Sequence, residues 1–181
     1  MRLVLLLCVV CSLPLQAATE QNRPTNVLEL FGGSENLEIL AHAEQVDACL
    51  LRYVKPKISE DEYTKLNSEK SVRLIYDSFR EDEHRNVPAA MSADIRKKLL
   101  SEDTYNWRIK RDCPPEYGSC RLRFFAHGKV LKLTIIFECK LFEIHLDDKP
   151  IHGAYFDHDG GVLLRSMQTL FPEDLVLQVP K

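Results

Sequence analysis

The C-terminal half of the chain alternates apolar and polar positions with a period of two. The alternation runs through Cys120–Ala126, Val130–Phe137 and Leu141–Leu146, and a further apolar stretch follows at Ile151–Phe156. Such a period is typical of half-buried strands, and short turns containing glycine, aspartate or proline separate the segments. Strands joined by short turns pair antiparallel, so the pattern predicts a sheet with one buried face and one wet face.

Other segments repeat their apolar residues at helical spacing. The pattern predicts a helix over 35–43 capped by Ser34, a helix that Ser92 caps and that ends at Leu100, and a final helix over 162–170. An apolar and aromatic strand is predicted over 46–54. The sequence therefore predicts an α+β domain, an antiparallel sheet of about four to five strands with short helices packed on one face.

Residues 55–112 are much richer in charge than the rest of the chain, and their signs are mixed. The pattern there predicts a short helix over 59–66, whereas residues 72–79 fit either a strand or a helix. A mixed-charge stretch of this kind is typical of solvated helix surface.

The first residues predict export. A basic start is followed by thirteen uncharged residues, Leu3–Leu15, and then by small residues at Ala17 and Ala18. These are the parts of a secretory signal peptide, and the apolar run is too short to cross a bilayer, which takes about 20 residues. The alternatives are a buried N-terminal helix and a lipid-anchored cysteine. We expect a signal peptide at 1–17, a flexible lead-in at 18–33 and one domain at 34–181.

Charge and composition exclude several classes of function. The chain has 24 basic and 27 acidic residues, and removing the predicted signal peptide takes away one base and no acid. Nothing here is basic enough to predict a nucleic-acid partner. No apolar run follows the signal peptide, so we expect no transmembrane segment in the mature chain, which should be secreted or periplasmic.

Four cysteines remain after the signal peptide. In an exported chain, Cys49, Cys113, Cys120 and Cys139 predict two disulfides, and three pairings are possible. If the hairpin centres on Gly128, Cys113 comes within reach of Cys139, which leaves Cys49 for Cys120. A local Cys113–Cys120 loop and a zinc site are the alternatives.

One polar cluster could bind a metal. His145, His152, Asp157, His158 and Asp159 lie within fifteen residues and offer imidazole and carboxylate ligands. Nothing in their spacing fixes a geometry, and the stretch around Asp157 departs from the calcium-loop pattern. The other interpretation is a polar turn in which Asp159 caps the last helix, so the sequence predicts neither a metal nor another cofactor.

The predicted wet face of the sheet carries basic side chains. Arg121, Arg123 and Lys132 could together take an anionic ligand. The alternative is a solvated face on which Glu143 balances its cross-strand neighbours.

The last 70 residues resemble a group of secreted bacterial proteins without an assigned activity. The resemblance rests on short stretches: Cys113–Gly118, Phe137–Cys139, Phe156–Asp157 and Leu170–Asp174. It implies a bacterial periplasm and carries no functional residue with it.

No catalytic grouping of any specificity occurs in the sequence. Serines lack a nucleophile elbow, and the paired glycines lack the phosphate-loop signature. We therefore expect an exported, non-enzymatic binding or structural accessory module, with an envelope protein as a possible partner. The alternative is a metal-dependent hydrolase that uses His145, His152 and Asp157.

Overall fold

A computed structural model describes residues 24–53, 79–107, 119–156, 161–174 and 177 of the chain. The described helices are α1 (Val27–Leu30), α2 (Ser34–Ala41), α3 (Ala89–Leu99) and α4 (Gly161–Leu170), with one 3₁₀ turn at Glu102–Thr104. The described strands are β1 (Gln45–Tyr53), β2 (Phe79–Asn86), β3 (Tyr105–Asn106), β4 (Ser119–Ala126), β5 (Lys129–Ile136), β6 (Leu141–Leu146) and β7 (Lys149–Phe156).

These strands form one sheet in the order β2-β1-β4-β5-β6-β7-β3, and every neighbouring pair is antiparallel. The α+β class and the antiparallel pairing are therefore confirmed. The predicted size of four to five strands was too small, because β2 is almost wholly polar and β3 has two residues, and neither shows an apolar alternation.

Two tight turns fix the register of the C-terminal strands. His127 and Gly128 connect β4 to β5, while Asp147 and Asp148 connect β6 to β7. All four have positive φ, between 46° and 70°. Two successive left-handed residues match the right-handed twist of the flanking strands, which is why such loops join hairpins. The turn predicted around Gly128 is confirmed, and it pairs Cys120 with Ile135.

One apolar cluster joins alternate residues of the strands to residues of the helices. Its fully buried side chains include Leu122 and Phe124 of β4, Phe142 of β6 and Ile95 of α3. In β4 the predicted inward face is confirmed, since Cys120, Leu122 and Phe124 have no exposed surface.

A short helix lies within the stretch that was predicted as a flexible lead-in, 18–33. Residues Val27–Leu30 form α1, whose first turn is capped by the Asn26 side chain, which accepts from the Glu29 amide at 2.9 Å. Leu30 and Phe31 are fully buried in the apolar cluster. A four-residue helix is too short to show a period, so its burial depends on tertiary packing.

Two predicted caps are also displaced. The residue before α2 is Gly33 rather than Ser34, and α3 begins three residues before Ser92, after Pro88. Ser92 is buried inside α3, whereas Leu100, at the end of the helix, is 40% exposed. The helix predicted over 59–66 and most of the ambiguous segment at 72–79 lie outside the described residues.

The Cys49–Cys120 disulfide is a wrong prediction, and so is its Cys113–Cys120 alternative. Cys49 and Cys120 are both free and buried. Cys49 stands opposite Arg121, and Cys120 stands opposite Leu50, so the two thiols project to opposite faces of the sheet. Cys113 lies outside the described residues, and its pairing with Cys139 stays a prediction.

Among the described helices, none combines the length and the apolar character that crossing a membrane requires.

Candidate functional site

Polar and charged side chains of five neighbouring strands share the sheet face that lies opposite the apolar cluster. We call this set the ionic face, and it comprises Asp47 and Cys49 of β1, Glu81 and His84 of β2, Arg121 and Arg123 of β4, Lys132 and Thr134 of β5, and Glu143 and His145 of β6. Cross-strand partners always project to the same side of a sheet, so the register alone assembles the set.

Two arginines hold the centre of the ionic face. Arg123 donates to both carboxylate oxygens of Asp47, from Nε at 2.7 Å and from Nη2 at 2.6 Å. Arg121 donates to Glu81 through Nη1 and to the Thr134 hydroxyl through Nε at 3.1 Å. Burial alone would raise the pKa of Glu81, but the hydrogen bond and charge of Arg121, with the charge of Arg123, lower it. Glu81 therefore stays ionised, and it joins the two guanidinium groups.

The predicted anion site is not supported by this geometry. Arg121 and Arg123 both face carboxylates, and Lys132 donates to Asp148. Three cations thus meet Asp47, Glu81 and Asp148 on the same part of the sheet, which leaves little net positive charge to attract an anion.

The alternative prediction, a solvated face, is also wrong at its centre. Arg121, Thr134, Glu143 and His145 are each 5% exposed or less. The alternation of the sequence identified which side chains share a face. It could not show that they are buried, because charged groups enter an interior when they find partners there.

Glu143 and His145 have shifted pKa values in opposite senses. Burial raises the pKa of Glu143 to about 7, against a smaller opposing effect of the Arg121 charge. Burial, the Arg121 charge and the Lys132 charge lower the pKa of His145 to about 4, although Asp148 opposes them. Within the described part of the chain, Glu143 Oε2 is buried without a hydrogen-bond partner. Both shifts favour the neutral form because charge is costly to bury.

A donor cluster that the sequence did not reveal lies at the β1–β2 side of the ionic face. One ligand atom each from Cys49, Glu81 and His84 lie within 4.8 Å of one another. Burial, and next the charge of Glu81, raises the pKa of the Cys49 thiol to about 12. More than thirty residues separate Cys49 from the other two, so no sequence spacing points to this group, and only the strand register brings it together.

The predicted metal candidates do not converge among the described residues. His145 is buried on the ionic face, whereas His152 is exposed on β7 and lines a cleft beside α1. Asp157 and His158 lie outside the described residues. The geometry thus separates the two histidines on which the predicted hydrolase depended.

The cleft beside α1 has a volume of about 540 Å³. Its lining consists of Pro24, Thr25, Leu28, Glu29, Gly32, Gly33 and His152. Leu28 is one of only two large apolar side chains that are exposed in the described part of the chain, at 49%. We call it the α1 cleft. A concavity of a few hundred Å³ with apolar and polar groups is the usual form of a ligand pocket.

The chain matches no protein-family model, no curated protein sequence and no solved structure. The features that bear on its function are the ionic face, the donor cluster of Cys49, Glu81 and His84, and the α1 cleft.

Proposed function

We propose that the protein is an exported, non-enzymatic binding module whose α1 cleft receives a short segment of a partner polypeptide that presents an apolar side chain beside a basic group. The carrying observation is the cleft, where an exposed leucine and a carboxylate border the same cavity.

The apolar part of this recognition rests on Leu28. Leu28 and Leu30 lie on the same four-residue helix, yet Leu28 is half exposed while Leu30 is fully buried. Core packing therefore accounts for Leu30 and leaves Leu28 without a structural role. Burying a fully exposed leucine side chain stabilises a complex by about 1.5–3 kcal/mol, so covering the exposed half of Leu28 contributes about 1 kcal/mol.

The basic part rests on Glu29. The backbone amide and hydroxyl of Thr25 both donate to Glu29 Oε2, at 2.8 and 2.9 Å, and these hydrogen bonds lower the pKa of Glu29. The carboxylate is thus ionised and held in place, and it can accept further donors. The whole chain is also negatively charged, which favours the approach of a basic segment.

Two observations support the non-enzymatic part of this proposal. The groups with the most shifted pKa values on the ionic face, Cys49, Glu143 and His145, are each 5% exposed or less, so a substrate would not contact them. His152, the exposed histidine of the α1 cleft, lies apart from them. The metal-dependent hydrolase that would use His145, His152 and Asp157 lacks such support, because His145 and His152 lie in different surroundings.

Export and cross-linking belong to the same proposal. The supports are the signal-peptide pattern over 1–17 and the state of Cys139, which, unlike Cys49 and Cys120, is not a free thiol. We propose that it pairs with Cys113 and that the helices cover one face of the sheet.

The test is selection of peptides on the mature protein. A displayed library of random 12-residue peptides should enrich sequences with a large apolar residue next to Lys or Arg. The affinity of a selected peptide, measured by fluorescence anisotropy, should fall about fivefold for Leu28→Ser and several-fold for Glu29→Gln. Leu100→Ser is the matched control, because Leu100 is the other exposed large apolar residue, and it should bind normally.

Two results would contradict the proposal. One is a selection that enriches no motif, and the other is an equal loss of affinity for Leu28→Ser and Leu100→Ser. Circular dichroism of each variant excludes unfolding as the cause of a loss.

A further inference from the structure

We propose that Cys49, Glu81 and His84 form a binding site for a transition-metal dication of the Zn²⁺ class, with a fourth coordination position open to water. This site lies on the ionic face, and the inference does not depend on the α1 cleft.

A β-bulge creates the constellation. Leu51 pairs with Glu81 and Leu50 with Asp82, but Cys49 pairs with His84, so Glu83 is an extra residue in β2. In a regular strand, residues 81 and 84 would project to opposite faces. The extra residue turns both side chains to the face of Cys49.

The bulge also costs conformational energy. Glu83 has φ of +42°, in the left-handed region that residues with a side chain seldom adopt. Local strain of this kind is retained where the surrounding structure or a function requires it. Here its consequence is that a thiol, an imidazole and a carboxylate meet.

The donor set indicates the class of metal. Thiolate sulfur and imidazole nitrogen are ligands of Zn²⁺ and its transition-metal neighbours, whereas Ca²⁺ and Mg²⁺ prefer oxygen alone. From the usual Zn–S and Zn–N bond lengths, tetrahedral ligand atoms stand about 3.5 Å apart. The three donor atoms lie within 4.8 Å of one another, so closing the site takes movements of about 1 Å.

Exposure shows which side chains can move. Cys49 is fully buried, whereas the side chain of Glu81 is 27% exposed and that of His84 is 43% exposed. β2 is the outermost described strand on this side of the sheet. A metal ion can therefore reach the thiol from the β2 side, with His84 closing over it.

The nearby guanidinium groups oppose a cation, but they are compensated. Arg123 contacts His84 Nδ1 at 2.8 Å and Glu81 at 3.4 Å, and metal binding would weaken both contacts. It keeps its two hydrogen bonds to Asp47. Arg121 keeps its hydrogen bond to the Thr134 hydroxyl. Asp47 and Glu81 balance the charges of the two arginines. A dication bound to one thiolate therefore adds one net positive charge to the site. The metal–sulfur and metal–nitrogen bonds must outweigh the repulsion that this charge creates.

Binding must release one proton. The Cys49 thiol gives its proton to the solvent, and a sulfur lone pair forms the bond to the metal, so the oxidation states of sulfur and metal do not change.

The experiment uses the mature chain, stripped with a chelator and kept free of thiol reductants. Titration with Co²⁺ should produce the near-ultraviolet charge-transfer absorption of a thiolate–cobalt bond at one equivalent, and Zn²⁺ should displace it. Cys49→Ser should abolish the absorption, and His84→Ala should weaken binding at least tenfold. Cys120→Ser is the matched control, because it removes a buried free thiol from the opposite face, and it should titrate like the wild type.

Two results would overturn the site. They are no charge-transfer absorption in the wild type and absorption that survives Cys49→Ser. If Cys49→Ser fails to fold, His84→Ala decides, since that side chain is largely exposed, and an unchanged affinity then refutes the proposal.

Discussion

Replacing Glu143 by Gln should change how the stability of the protein depends on pH. Glu143 is 5% exposed, and burial raises its pKa to about 7, against 4.5 for an ordinary glutamate. Gln has nearly the shape of the protonated carboxyl group and never ionises. The substitution thus removes one titration while it disturbs the packing little.

The sign follows from proton binding. Between pH 4.5 and 7 the unfolded chain has lost the Glu143 proton and the folded chain retains it, so the wild type loses stability as the pH rises through this window. One pH unit is worth about 1.4 kcal/mol, and the loss therefore reaches about 3 kcal/mol above pH 7. Below pH 4.5 both states are protonated and Glu143 contributes no pH dependence.

His145 acts in the opposite direction. Its pKa falls to about 4 in the folded protein, against 6.5 for an ordinary histidine. Between pH 4 and 6.5 the unfolded chain binds a proton that the folded chain rejects, so stability rises with pH by about 3 kcal/mol. In the wild type the two contributions nearly cancel between pH 4.5 and 6.5.

Urea unfolding at half-unit steps from pH 4 to 8 measures both effects. The free energy of unfolding of Glu143→Gln, relative to the wild type, should grow by about 3 kcal/mol from pH 4.5 to 7.5. For His145→Gln the relative free energy should grow by a similar amount as the pH falls from 6.5 to 4. The double variant should run parallel to the wild type, because both slopes are gone.

A difference between Glu143→Gln and the wild type that stays constant with pH would refute this reasoning, as would one of the opposite slope. The slope of unfolding against urea must stay the same in all four proteins, so that the comparison refers to one transition.

Three further outcomes are expected. Arg123→Ala leaves Asp47 partly buried without its two hydrogen bonds and should lower the free energy of unfolding in urea by about 3 kcal/mol; a loss under 1 kcal/mol would class the pair with surface ion pairs. Gly128→Ala places a side chain at φ +70° and should cost about 1 kcal/mol in thermal unfolding, with Gly128→Asn costing less; equal stability of all three proteins would contradict the strain. Cys49 and Cys120 should resist iodoacetamide in the native protein and react in denaturant, as mass spectrometry would show, and their failure to react after unfolding would mean that they are not free thiols.

The four C-terminal strands were predictable because local signals determine them. Alternation identifies β4, β5 and β6, an apolar stretch identifies β7, and the tight turn at Gly128 forces its neighbours to pair. The strand β2 could not be predicted, because seven of its eight residues are polar and an isolated strand of that kind gains nothing from burial. Its stability comes from pairing with β1 and from the ion pairs that Glu81 makes with Arg121 and Arg123.

The candidate sites could not be predicted from short stretches of sequence, because their residues come from strands that are far apart in the chain. The closeness of His145 and His152 in the sequence suggested metal ligands, but the two lie in different surroundings. Cys49 and His84 gave no signal, because their meeting depends on one extra residue in β2. One extra residue in a strand changes which of its side chains share a face of the sheet. The periodicity of the sequence cannot reveal such a change when the strand itself is not recognised.

Both ends of the described sheet are poor templates for further strands. On one side the last strand carries charges along its whole length and is bent by its bulge, and on the other side β3 offers two residues. Natural sheets use charged, kinked or very short borders to prevent neighbouring molecules from adding strands. The same bulge that gathers a thiol, an imidazole and a carboxylate thus also protects the folded protein from aggregation through exposed backbone groups.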